Sequence, residues 1–74
     1  MKGEENMFTC TFKTSGAAFH SDDELTDTYT KNEEIARILR EIAAKVSDYA
    51  YDKEMKFAVM DINGNKIGEF KTID

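Results

Sequence analysis

The chain has 74 residues, a net charge of −5 and 34% charged residues, with one cysteine and one histidine. That length holds one domain with a thin core. One Cys and one His exclude an internal disulfide and a zinc site, and no apolar run reaches the length of a membrane span. The lone thiol fits a reducing compartment. The N-terminal MKGEENMF lacks the apolar core of a signal peptide. A cytoplasmic protein is expected.

Charge is unevenly placed. Residues 1–34 carry eight acids against three lysines, whereas residues 35–74 carry seven acids and seven bases. Phosphate binding needs clustered Lys and Arg, so direct nucleic-acid binding is not expected. An acidic surface serves solubility or a basic partner.

Residues 1–6 are polar, and a frayed start is expected. Met7 to Thr14 reads as a strand. Phe8, Cys10 and Phe12 alternate with Thr9, Thr11 and Lys13, the pattern of a half-buried strand. Cys10 then points inward as a small apolar side chain.

Ser15 to Tyr29 shows no clear periodicity and reads as a long connection. Phe19 is expected to fold back as an anchor, with Leu25 as a weaker one. Asp22, Asp23, Glu24 and Asp27 lie in this stretch without the spacing of a calcium loop, so a solvated acidic loop is expected. His20 has no orienting partner that the sequence identifies.

Glu33 to Tyr49 reads as an amphipathic helix. Ile35, Ile38, Leu39, Ile42, Val46 and Tyr49 fall on one face of a 3.6-residue repeat. Ala36, Ala43 and Ala50 widen the stripe. Thr30 and Glu33 have the spacing of a capping box, so the helix is expected to run from Lys31 to about Tyr51. Glu33 and Glu34 then sit in the first turn, where the helix dipole favours anions.

Met55 to Ile73 reads as a hairpin with arms Lys56–Ile62 and Lys66–Ile73. Its turn is Asp61-Ile62-Asn63-Gly64-Asn65, and Asn-Gly is a strong hairpin signal. A two-residue turn pairs Phe57 with Phe70. A three-residue loop with a glycine bulge pairs Val59 with Ile67. Gly68 is a candidate for a further bulge. With Phe57, Val59 and Phe70 facing the helix, Ala58, Met60 and Ile62 fall on the other face beside Thr9 and Thr11. That face is either scattered surface apolar side chains or a contact surface.

The fold expected is α+β with element order β-α-β-β. One long helix covers a three-stranded sheet of order 1-3-2, which is preferred over 1-2-3.

Three segments occur together in a known group. They are G-A-A-F at Gly16 to Phe19, E-I-A-R-I-L-R-E-I-A at Glu34 to Ala43, and D-I-N-G-N-K-I-G at Asp61 to Gly68. In this order they resemble a group of short proteins encoded by bacteriophages and other mobile elements. The likeness covers most of Phe8 to Phe70, and this chain departs from the pattern in a longer acidic insert after Phe19. The resemblance implies an origin and carries over no catalytic residue.

Together these features lead to an expected accessory protein, not an enzyme, that binds a host protein with a basic surface. It would inhibit a host defence in the manner of anti-CRISPR proteins. Asp22, Asp23, Glu24, Asp27, Glu33 and Glu34 would imitate nucleic-acid phosphates. No cofactor or metal is expected. The alternative is an interaction module that forms a homodimer through its sheet, without an inhibitory role.

Overall fold

The computed structural model describes residues 6–49 and 54–73. Its elements are β1 (Met7–Phe12), a single 3-10 turn (Ala17–Phe19), α1 (Glu24–Asp48), β2 (Lys56–Met60) and β3 (Lys66–Ile73). The sheet has the order β1-β3-β2, and both neighbouring pairs are antiparallel. This is an α+β fold of β-α-β-β order with the expected 1-3-2 arrangement. Residues 1–5 of the expected frayed start at 1–6, Ala50 in the helix stripe, and the helix end near Tyr51 fall outside the described residues. Within them, α1 ends at Asp48, where the N–H of Tyr49 bonds back to Lys45 O and Val46 O.

The helix begins seven residues before the expected Lys31. Asp23 is its cap, and the Asp23 side chain accepts the N–H of Leu25 at 2.9 Å. Glu24 and Asp27 sit in the first turn, where the dipole favours them. Thr30 is therefore a mid-helix residue and not a cap. The threonine-rich stretch Thr26 to Thr30 hides this start, because it has weak helix propensity and no apolar period. It is helical because capping and continuity with the strong segment that follows outweigh local preference.

A helix of 25 residues is about 37 Å long at 1.5 Å per residue. The eight residues of the longest strand span about 26 Å. The helix must overhang the sheet, and its first two turns are the overhang. Leu25 is 91% exposed there, so the expected weak anchor is absent. Phe19 is the anchor, as expected, fully buried with its ring stacked against Phe12.

The core is Phe19, Ile38, Ile42, Val59 and Phe70. Cys10, Ile35, Val46 and Phe57 pack against it in part. Leu39 departs from the expected stripe and is 50% exposed. Tyr49 is 42% exposed, and its ring meets Phe57 at 5.0 Å.

The hairpin combines both registers that its sequence allows. Asp61 N–H bonds Asn65 O at 2.9 Å, and Gly64 N–H bonds Asp61 O at 3.0 Å, so Ile62 to Gly64 form a three-residue loop. Gly64 takes φ 85°, a left-handed conformation that glycine adopts without strain. An irregularity between Val59 and Met60 then skips Ile67, which restores Phe57 opposite Phe70 and puts Val59 opposite Gly68. The first arm ends at Met60, and Ile62 lies in the loop.

Candidate functional site

The candidate site is the acidic start of α1, and its six acids have different surroundings. Asp22, Asp23, Glu24 and Glu33 are exposed. Asp27 accepts the N–H of Ser21 at 3.0 Å, and His20 Nδ1 lies 3.2 Å from the same oxygen. The Ser21 bond, reinforced by His20, holds the Asp27 carboxyl below the usual carboxylate range. The structure thus supplies the orienting partner for His20 that the sequence does not reveal. Ser21 Oγ points elsewhere, to Asp23 O and Thr26 Oγ1, each at 2.9 Å.

Glu34 is buried at 7% exposure. Arg37 grips both its oxygens, Nε to Oε1 and Nη2 to Oε2, each at 2.8 Å. Glu34 Oε2 also accepts the N–H of Ile62 at 3.0 Å. The Arg37 bonds dominate and hold the Glu34 carboxyl below its usual range, against burial and the nearby Asp61. Arg37 is held more firmly protonated in return, and its Nη1 reaches Glu41 Oε2 at 2.6 Å. Glu34 ties the helix to the hairpin, and its charge is spent inside the molecule.

The exposed acids are spread around the helix. At 100° per residue, Glu33 lies roughly opposite Glu24. Lys31 stands between them in sequence and helps to hold Asp27 ionised. Asp22, Asp23 and Glu24 form the compact part, at the tip of the overhang.

The open face of the sheet is charged. By alternation it presents Lys56, Lys66, Lys71 and Glu69 among Met7, Thr9, Thr11, Ala58, Met60 and Ile73. Lys71 Nζ pairs with Glu69 Oε2 at 3.6 Å. Three lysines against one acid give this face a positive excess. Lys66 and Lys71 are five residues apart, so plain alternation would place them on opposite faces, and the irregularity that skips Ile67 brings them to one.

A third surface is an apolar one. Phe8, Leu39, Ile42, Ala43 and Val46 line a shallow groove between α1 and β1. Phe8 is 49% exposed there. The helix packs toward β2 and leaves this side of the sheet partly uncovered.

Cys10 is half-buried, and burial pushes its thiol up, away from thiolate chemistry. Among the described residues, no group of three or more His, Cys, Asp or Glu side chains is placed to hold a metal ion. No described helix is long and apolar enough to cross a membrane. Comparison with protein-family models, with curated proteins and with solved structures gives no match.

Proposed function

We propose that this is an accessory protein of a phage or mobile element that acts in a bacterial cytoplasm by binding a host protein. In the concrete form, the anionic tip of α1 enters a Lys- and Arg-rich nucleic-acid channel and blocks it, as an anti-CRISPR-like inhibitor would. The observation that carries this reading is the overhang. Asp22, Asp23 and Glu24 are exposed at the end of a helix whose first two turns stand clear of the sheet. A projecting helix end with exposed acidic side chains can reach into a groove that the rest of the domain cannot enter. Asp27 and Glu34 support this end by bracing the loop before the helix and the hairpin beside it.

The test is a variant that removes charge and keeps the fold. Asp22→Asn, Asp23→Asn, Glu24→Gln and Glu33→Gln together qualify, because Asn caps a helix as well as Asp. Capture from a bacterial lysate should retain a basic, nucleic-acid-binding protein on the native chain and lose it on the variant. Retention should fall steeply with added salt. A DNA or RNA oligonucleotide should compete with the native chain for the captured protein. Retention that survives both the variant and high salt would refute the reading.

A further inference from the structure

We infer that the outer edge of β1, together with the groove beneath Leu39, is the interface of a two-fold dimer of this chain. The reasoning is separate from the acidic tip and does not depend on it.

The first observation is the strand itself. In the order β1-β3-β2, no described strand pairs with the outer side of β1. Lys13 N–H bonds Ile67 O, which places the odd-numbered residues of β1 in the hydrogen-bonded pairs with β3. The N–H and C=O groups of Phe8, Cys10 and Phe12 therefore point outward along the free edge. Proteins guard such edges with charge, proline or a bulge. Met7–Phe12, MFTCTF, has none of these. The opposite edge is guarded: β2 carries Lys56 and borders an irregularity at Met60.

The second observation is the groove. A strand added to this edge lies against Phe8, Leu39, Ala43 and Val46, which carry no charge. The occupant must be an uncharged strand with bulky apolar side chains on its helix-facing side. β1 is such a strand. Antiparallel pairing of β1 with itself about Cys10 sets Phe8 opposite Phe12 of the second copy, and Thr9 opposite its Thr11. Phe12 of the second copy, stacked on its own Phe19, then lies alongside Phe8 and closes the mouth of the groove. The result is a six-stranded sheet with both helices on one face.

Electrostatics favour this arrangement over other self-pairings. A two-fold axis perpendicular to the sheet runs the two helices in opposite directions. Their acidic starts lie at opposite ends, far apart for two chains of net charge −5. Face-to-face pairing through the open side would instead bring two faces together that each carry Lys56, Lys66 and Lys71 against Glu69.

The experiment combines solution mass with amide hydrogen exchange. Sedimentation from micromolar to millimolar chain should show the mass rising to twice the 8.4 kDa of one chain. The amides of Phe8, Cys10 and Phe12 should exchange slowly in the dimer. Leu39→Glu and Leu39→Lys should both return the mass to one chain with the helical circular dichroism unchanged, since Leu39 is half-exposed. Loss in both charge senses separates desolvation of the groove from simple repulsion. A single-chain mass at every concentration overturns the inference. So does a dimer that persists in both variants, or one in which those three amides exchange freely. Should either variant fail to fold, amide exchange in the native chain decides alone.

Discussion

Glu34, in the helix, accepts the backbone N–H of Ile62, in the hairpin loop, at 3.0 Å. The two are 28 residues apart in sequence. The same carboxylate is gripped by Arg37, so one buried acid joins a helix turn, a guanidinium and a loop amide. Glu34→Ala leaves the Ile62 amide and Arg37 without that partner. A loss of about 1.5–3 kcal/mol is expected, the range for a hydrogen bond to a charged group. In a domain this small, each kcal/mol is about 4–8 °C in Tm. Glu33→Ala, exposed one residue earlier, should change stability by less than about 0.5 kcal/mol. Thermal unfolding of the two variants checks the contrast.

Acid should unfold this protein through three carboxylates. Glu34, Asp27 and Asp61 are all held below their ordinary range. Arg37 does this for Glu34, the Ser21 N–H for Asp27, and the Asn65 N–H for Asp61. A depressed carboxyl contributes stability that is present above its unfolded value, about 3.9 for Asp and 4.3 for Glu. That contribution is lost as pH falls through the folded value. Stability should therefore be level above about pH 5 and fall progressively below about pH 4. Glu34→Gln should flatten the fall, as measured by urea unfolding across that range.

The two hairpin glycines should respond differently to alanine. A Cβ on Gly68 would stand 2.0 Å from Thr11 O and 2.5 Å from the Phe12 Cα, both backbone atoms of β1. Gly68→Ala must push β1 away from β3, so loss of cooperative folding is expected. Gly64 has open space around it and only its positive φ to protect. Gly64→Ala should cost about 1–2 kcal/mol, the penalty of that conformation. Urea unfolding should rank Gly68→Ala well below Gly64→Ala in midpoint.

The helix start can be tested in the same way. Asp23→Ala removes the cap and should cost about 1 kcal/mol. Thr30→Ala, at the site with the capping-box spacing, should be neutral or slightly stabilising, because it places alanine in a helix interior. The reverse order would put the start of α1 near Lys31.

Several features were legible in the sequence because they are local. The alternation of Phe8, Cys10 and Phe12 marks a strand. The spacing of Ile35, Ile38 and Ile42 marks a helix face. Asn63-Gly64 marks a turn, since few residues other than Gly take φ 85° without strain. With a right-handed crossover, these elements leave few topologies, and the observed strand order is the one preferred.

Other features needed the tertiary structure. Six acids early in the chain look alike as letters. Folding makes Glu34 a buried strut, Asp27 a brace for the loop and Asp23 a cap, and it leaves Asp22 and Glu24 free in water. The hairpin register depended on a bulge whose effect is felt only against β1 and α1. The uncovered side of β1 depended on where the helix lies across the sheet. Periodicity reports which side of an element is apolar, because that is set by bond geometry along the chain. What covers that side is set by long-range packing, and so Leu39, on the apolar stripe, ends half in water.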